Sequence, residues 1–174
     1  MTAYRTTQLR LTHPDHGFGT NERNLWQTAP NWQPIRRAVE LALIEFDWDR
    51  ALVITNLVVK PVADLLLLDQ LSRQAVAVGA QLDALVLENL WRDSRRSQRW
   101  TRALIGFLND VDAGNHTVLQ TYLDEFAPLG HTMIDAGADM IAATSGRDAA
   151  QIASDAHSDW AALLAPNRLH VTKE

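Results

Sequence analysis

Residues 46–79, which read FDWDRALVITNLVVKPVADLLLLDQLSRQAVAVG, form the stretch of sequence that decides the fold. If this stretch is helical, its side chains are apolar around most of the circumference. Only Asn56, Lys60 and Asp64, which recur four residues apart, form a thin polar stripe. A helix that is apolar on nearly every side is normally surrounded by other helices. The stretch therefore predicts a long, buried helix within an all-helical fold.

The same stretch also has about the length of a membrane span. Residues 51–68 are mostly apolar, and a bilayer core is crossed by about 20 such residues. Lys60 and Asp64 lie near the middle, where each would cost about 3 kcal/mol on insertion scales, and Pro61 interrupts the helix beside them. The favoured interpretation is therefore a buried helix of a globular protein, with a kink expected at Pro61.

The composition of the chain excludes several classes of protein. With 174 residues, 47% of them hydrophobic, the chain suits one globular domain. A net charge of −5 gives no general attraction to nucleic acid or anionic membranes, so neither is expected as a partner. The absence of cysteine excludes disulfides, thiolate metal sites and cysteine nucleophiles. Because the first residues, MTAYRTTQLRLTH, lack the apolar core of a signal peptide, a cytoplasmic location is expected.

Proline and glycine divide the chain into three regions. Residues 1–33 contain His-Pro-Asp-His and Gly-Phe-Gly, and they predict an irregular N-terminal arm with Trp26 and Trp32 among its anchors. Residues 34–165 predict a helical domain, and residues 166–174 predict a C-terminal tail. No alternation of apolar and polar residues with a period of two persists, so the predicted fold class is all-α.

Capping residues, glycine and proline within the helical domain predict where its helices begin and end. Asp47 is a candidate N-cap for the long helix, and Gly79 is expected to end it. Ser94 is expected to begin a new helix after an apolar helix over residues 81–92. A further interruption is expected at Pro128.

Several segments together resemble one protein family. FDWDRA at 46–51 and TNLVVKP at 55–61 resemble the signature YDWGEAF…NLVxKP of bacterial multicomponent monooxygenases. The match is more specifically to the β subunit of the hydroxylase component in toluene, phenol and short-chain alkane monooxygenases. The resemblance continues at DSRRSQRW (93–100), HPDHGFG (13–19) and WQPIR (32–36). It covers most of the chain from residue 13 to about residue 128 and corresponds to the C-terminal half of β subunits about twice this long.

This resemblance implies a fold, a function and a set of partners. The implied fold is a ferritin-like, ribonucleotide-reductase-like helical bundle, here represented in part. The implied function is that of a non-catalytic structural β-type subunit of a soluble di-iron hydrocarbon monooxygenase hydroxylase. A partner α subunit would carry the di-iron centre and the NADH- and O2-dependent hydroxylation. This chain would form an oligomer with the α subunit and the other hydroxylase subunits.

The residues themselves offer no di-iron site. Such a centre needs carboxylates from four helices and a Glu-x-x-His motif on two of them. No histidine here follows a Glu or an Asp by three residues, and Glu88 is followed at that distance by Trp91. His13 and His16 lie in a turn that contains proline, which favours a surface role over a metal site. Solvent or capping roles are expected for His116, His131 and His157. We therefore predict no catalytic, cofactor-binding or metal-binding residue in this chain.

A run of arginines is the strongest candidate for a binding surface. Its members, which share one helical face beside Trp91 and Trp100, are Arg92, Arg95, Arg96, Arg99 and Arg102. Such a run is typical of RNA or phosphate binding, of docking to an acidic subunit, or of a solvated helix face. Docking is favoured over nucleic acid because the chain is acidic and because Arg and Trp are enriched at protein interfaces. The predicted interface residues are Trp26, Trp32, Arg95, Arg96, Arg99 and Trp100.

Two alternatives to a hydroxylase subunit remain open at this point. The first is a stand-alone α-helical protein-binding module without an oxygenase partner. The second is an enzyme in its own right, which the missing ligand motifs disfavour. A large unsatisfied apolar surface would favour the subunit, because monomers rarely expose patches above a few hundred Å².

Overall fold

The computed structural model describes residues 2–14 and 21–172, and the side chains of residues 7–14 and 21–172. These residues form α-helices and short connections, and no strand occurs among them. The helices are α1 (Thr2–Thr12), α2 (Glu22–Thr28), α3 (Gln33–Ile44), α4 (Trp48–Ala77), α5 (Gln81–Val111), α6 (Gly114–Ser145) and α7 (Ala149–Leu164).

Helix α4 is the predicted long helix, and it runs continuously through Pro61. Two π-helical segments, Ile54–Val59 and Leu65–Gln70, flank the short α-helical turn that contains the proline. Proline has no N–H, so the Leu57 carbonyl four residues earlier lacks its usual intrahelical donor. The indole N–H of Trp160 in α7 donates to this carbonyl at 2.8 Å. A bond from another helix therefore satisfies a backbone group that the proline leaves without its usual partner.

The surroundings of α4 decide between the core and membrane interpretations. Among the described residues α4 alone is long and apolar enough to cross a membrane by length and composition. More than half of its most apolar window is buried inside the fold, as in the core helix of a globular protein. The hydrophobic core gathers buried side chains from five helices. Its members include Ile35, Ala38, Val53, Ile54, Val58, Leu66, Ile105, Leu123, Met133, Ile134, Ile141, Ile152 and Trp160.

The polar stripe of α4 faces α5. Lys60 forms an ion pair with Asp64, and the Ser94 hydroxyl of α5 donates to the same Asp64 carboxylate at 2.5 Å. Gln98 then donates to the Ser94 oxygen at 3.3 Å, and Ser94 itself is only 3% exposed. Asp64 of the predicted stripe is thus hydrogen-bonded to α5 and paired with Lys60, which explains why this carboxylate tolerates partial burial.

Glycine allows α6 to approach its neighbours closely. A Cβ at Gly130 would lie 2.9 Å from Cζ3 of the Trp160 ring, and a Cβ at Gly137 would lie 2.6 Å from a methyl of Leu66. Both distances are shorter than van der Waals contact, so a side chain at either position would force its neighbour to move. The same helix passes through Pro128 without a break. The expected interruption there was wrong, because packing on both sides of the helix outweighs the lost hydrogen bond.

The described part of residues 1–33 is more regular than the predicted irregular arm. It contains α1, α2 and a short 3₁₀ turn at Pro30–Trp32, while residues 15–20, which hold His16 and the Gly-Phe-Gly motif, lie outside the described residues. Residues 22–28 contain no glycine or proline, so nothing local prevents a helix there. The expected break at Ser94 is also absent, since α5 continues through it. Asp47 occupies the N-cap position of α4, but its side chain makes no capping hydrogen bond.

We expect Gly130→Ala and Gly106→Ala to change stability in opposite directions. At Gly130 the added methyl collides with the fully buried Trp160 ring, which should lower the free energy of unfolding by about 1–2 kcal/mol. At Gly106, in the C-terminal part of α5, an added Cβ would meet no neighbouring atom within 4 Å outside the local helix backbone, so alanine should raise the free energy of unfolding by about 0.5–1 kcal/mol. Urea unfolding followed by circular dichroism measures both values. Equal effects from the two substitutions would contradict the close contact between α6 and α7.

Candidate functional site

The predicted arginine run lines an open groove between α5 and the end of α7. The groove has a volume of about 630 Å³, and its opposite wall is formed by Ala162, Leu163 and Pro166. The arginines that line it are Arg92, Arg95, Arg96, Arg99 and Arg102, all of them exposed. The sequence spacing predicted that these five side chains share one face of a helix, and in the structure they do line one groove. Trp100 lies on the same helix and is 59% exposed.

The arginines of this groove differ in whether a carboxylate already neutralises them. Arg92 pairs with Glu88 at 2.6 Å, and Arg96 pairs with Asp93 at 3.1 Å, both within α5. In the part of the chain that the structure describes, Arg95, Arg99 and Arg102 make no ion pair. Predicted interface residue Arg96 is therefore already paired, whereas Arg95 and Arg99 present free guanidinium groups.

The two predicted N-terminal interface residues pack against this chain's own core. Trp26 and Trp32 are half-buried, and their ring centroids lie 5.7 Å apart with the ring planes tilted by 55°. The Gln33 side chain donates to the Trp26 carbonyl at 3.3 Å, which ties α2 to the start of α3. These tryptophans hold the N-terminal arm on the helical domain, and only their exposed edges are available to another protein.

A second exposed surface, absent from the sequence predictions, lies where α3 meets α4. We call it the α3–α4 corner, and it consists of Leu43, Ile44, Phe46 and Trp48. Their exposed fractions are 76%, 63%, 93% and 67%. Single exposed apolar residues are common, but four neighbours in one short segment form the kind of patch that usually marks an interface. The sequence signal for it was the FDW segment itself, which was read only as part of a family signature.

Arg50 holds the α3–α4 corner in place. Its guanidinium donates to the Glu125 carboxylate through two bonds of 2.8 and 2.6 Å, and to Glu45 at 3.0 Å. It also lies over the rings of Tyr122 and Phe126, with 5.2 and 4.9 Å to the centroids. One side chain from α4 thereby joins the end of α3 to the middle of α6, so the exposed corner rests on a rigid base.

The charges around Arg50 shift the acidity of its neighbours. Its hydrogen bonds lower the pKa of Glu125 and of Glu45 below the ordinary glutamate value. Tyr122 donates to Asp49 at 3.3 Å, and partial burial, followed by the charge of Asp49, raises the pKa of the Tyr122 phenol. The shifts are those of a structural ion-pair network, since they stabilise the ordinary charge states at neutral pH.

The donor groups that the structure describes do not fit a di-iron centre. Among the described residues, no group of three or more His, Asp or Glu side chains lies close enough to hold a metal ion. The nearest approach to a cluster is the contact between His131 Nδ1 and His157 Nδ1 at 3.3 Å, with Asp135 at 3.5 Å from the other His157 nitrogen. His131 also contacts the Thr172 carbonyl at 3.1 Å. These histidines join α6, α7 and the C-terminal segment, instead of taking the separate solvent or capping roles expected for them.

These features define a class of protein: an all-α chain built around one enclosed helix, with two exposed surfaces suited to protein contacts and no metal-ligand set among its described residues. The sequence model of the methane, phenol and alkene hydroxylase family matches residues 1–112. The chain belongs to this family.

Individual relatives are hydroxylase subunits. The chain is 38% identical, over 80% of its length, to the hydroxylase component subunit beta of the toluene-4-monooxygenase system of Ectopseudomonas mendocina, and covers 42% of it. It is 29% identical, over 69% of its length, to the hydroxylase component small subunit of propane 2-monooxygenase from Gordonia sp. (strain TY-5), and covers 34% of that protein. The chain therefore spans less than half the length of these relatives.

A solved structure confirms the fold prediction. The structure of toluene 4-monooxygenase with toluene bound in the resting active site contains a chain that matches with a TM-score of 0.77 and 36% identity. The match covers 81% of this chain and 46% of the other. The predicted all-α, ferritin-like fold and the predicted family are thereby confirmed.

We expect Glu125→Gln to destabilise the protein near neutral pH but not in acid. The pKa of Glu125 is lowered in the folded state, so its ionised form stabilises the fold at pH values above its ordinary 4.5. This contribution is lost as the pH falls through the lowered value. The difference between wild type and variant in urea-unfolding free energy should therefore shrink from pH 7 toward pH 3. The control is Asp110→Asn, an exposed carboxylate of α5 for which the described structure shows no ion pair. A difference that persists unchanged at pH 3 would contradict the role of the Arg50–Glu125 pair.

Proposed function

We propose that this chain is a non-catalytic, structural β-type subunit of a soluble hydrocarbon monooxygenase hydroxylase. The support is its family, together with relatives that are β and small subunits of toluene and propane monooxygenase hydroxylases. In this proposal a partner α-type subunit carries the di-iron centre and hydroxylates an aromatic or short-chain hydrocarbon with O2 and electrons from NADH. The complex is an oligomer in the cytoplasm, and no nucleic acid or membrane takes part.

The observation that carries this proposal is the α3–α4 corner. Phe46 is 93% exposed and Trp48 is 67% exposed, yet the segment between α3 and α4 is fixed by the bonds of Arg50. Aromatic side chains are enriched at the centre of protein interfaces, and a rigid patch loses little conformational entropy when it is covered. A chain whose role were complete in isolation would gain nothing from holding these rings in water.

We expect substitution of the corner to prevent assembly with the catalytic partner. The test is co-expression with the large subunit of a hydroxylase of this family, followed by size-exclusion chromatography with light scattering. Phe46→Glu with Trp48→Glu should lower the recovered complex at least tenfold, since each buried aromatic contributes about 2 kcal/mol or more. Val76→Glu with Val78→Glu is the matched control, because both valines are also 67% exposed but lie at the other end of α4.

The outcomes of this experiment separate the proposal from its alternative. A wild-type chain that stays a stable monomer at high concentration and binds no hydroxylase subunit would contradict the proposal and favour a stand-alone binding module. Equal loss of complex in both pairs of variants would show that added charge, and not the corner, disrupts assembly.

We also expect the chain purified alone from iron-replete medium to contain no stoichiometric iron and to have no oxygenase activity. The described residues offer no carboxylate and imidazole set for a bridged iron pair, and the sequence has no cysteine. Elemental analysis and absorption spectroscopy measure this directly. Two irons per chain with the absorption of an oxo-bridged pair would contradict a non-catalytic role.

A further inference from the structure

We propose that Arg95, Arg99 and Arg102 form a binding row for the acidic face of a helical segment in a partner subunit. We call these three residues the arginine row. The inference rests on the proposed role as a subunit and names the surface and the chemistry of one contact. The α3–α4 corner is apolar and lies elsewhere on the molecule, so the two surfaces bind by different means.

The spacing of the arginine row matches that of a second helix. Its residues stand four and three positions apart on α5, so they fall within an arc of about 60° and span about 10 Å along the axis. Neighbours at such spacing lie on one helix face, with about 5–6 Å between their Cβ atoms. A partner helix that carries carboxylates at the same spacing presents one acidic group to each arginine.

The charge of the arginine row is not neutralised within the described chain. Arg92 and Arg96, which line the same groove, have carboxylate partners one turn away, whereas the three members of the row have none. Three like charges on one face repel each other, and a carboxylate relieves this while accepting two bonds from the planar guanidinium. The groove therefore attracts an anionic partner through three of its five arginines.

The base of the arginine row is fixed before any partner binds. Two buried polar residues lie on the same helix between and beside its members: Ser94, bonded to Asp64 of α4, and Thr101, bonded to the Ser97 carbonyl. The bond of Ser94 joins α5 to α4, and the buried side chain of Thr101 bonds within α5 itself, so the arginine Cα atoms lie on a helix that is packed in place before binding. Preorganisation of this kind lowers the entropic cost of binding.

The groove favours a protein segment over a nucleic acid. Its opposite wall is apolar, formed by Ala162, Leu163 and Pro166, and suits the apolar side of an amphipathic helix. Three cations over about 10 Å reach few phosphates, and the chain as a whole carries a net charge of −5. Arginine is also enriched, and lysine depleted, at protein interfaces, and the groove contains arginine without lysine.

The first test measures binding of a labelled helical peptide to the purified chain by fluorescence anisotropy. The peptide carries three glutamates spaced four and three residues apart on one face, and a second peptide of the same composition distributes them around the helix. We expect the first peptide to bind at least about tenfold more tightly than the second, with affinity falling as salt rises.

Two double variants with the same change of net charge locate the site. Arg95→Gln with Arg99→Gln removes two members of the arginine row, while Arg92→Gln with Arg96→Gln removes two arginines that already have partners. The first variant should weaken peptide binding about tenfold or more, and the second by no more than about threefold. Thermal unfolding followed by circular dichroism checks that both variants remain folded.

Each remaining outcome of the peptide assay overturns the inference. No binding by the wild type, equal binding of the two peptides, or equal loss in the two double variants would each exclude a row that recognises an acidic helix face. Tighter binding of a short single-stranded DNA, with a steep dependence on salt, would assign the groove to nucleic acid instead.

Co-expression with the large hydroxylase subunit separates failure of this inference from failure of the proposed function. If Arg95→Gln with Arg99→Gln assembles as fully as wild type, the arginine row is not a subunit contact, although the subunit role stands. If wild type binds the acidic peptide but not the large subunit, the subunit role fails while the specificity of the row stands. Loss of complex in this variant alone, with Arg92→Gln and Arg96→Gln assembling normally, supports both.

Discussion

The hydrogen bond from the Trp160 indole to the Leu57 carbonyl is the interaction on which the packing of the helices depends. Pro61 removes the usual donor to this carbonyl, and an unsatisfied buried carbonyl costs about 1–3 kcal/mol. The bond satisfies it only if α7 lies directly against α4. The indole in turn needs the space that Gly130 leaves in α6. The proline of α4, the indole of α7 and the glycine of α6 thus meet at one point of the core and constrain how these three helices pack.

The sequence could predict the all-α fold and the burial of the long helix, because the burial follows from the apolar circumference of residues 46–79. It could not predict that two helices continue through residues expected to interrupt them, because contacts with other helices decide this. Ser94 has the chemistry of an N-cap, but its hydroxyl is used by Asp64 of α4, so α5 passes through it. Pro128 likewise lies inside α6, and the helix continues through it. The π-helical segments of α4 leave no sequence signal other than the proline between them.

The candidate surfaces were also predictable to different degrees, because the sequence shows spacing along one helix but not contacts between distant residues. Spacing on one helix is local, so the arginine face of α5 could be predicted from the sequence, whereas the groove it forms with α7 could not. The pairing of Arg92 with Glu88 is likewise local, as an i, i+4 pair. The α3–α4 corner was not predictable, because its rigidity depends on Arg50 reaching Glu125, 75 residues away in sequence. Trp26 and Trp32 differ again, since part of each side chain packs on the chain's own core, a contact that no local spacing indicates, and their role at an interface stays a prediction.

The two exposed surfaces suit different tasks in the proposed assembly. Burial of apolar area supplies affinity but little orientation, because the hydrophobic effect is not directional. Paired charges supply orientation and partner choice, because a misplaced charge is left desolvated without a partner. The α3–α4 corner has the first property and the arginine row has the second. Helix α4 contacts both: Arg50 at its start bonds Glu125 beside the corner, and Asp64 near its middle accepts from Ser94 of α5, next to the row. In the proposed assembly, the helix at the centre of this chain would set the position of the apolar corner relative to the arginine row, and with it the orientation of a partner that contacts both.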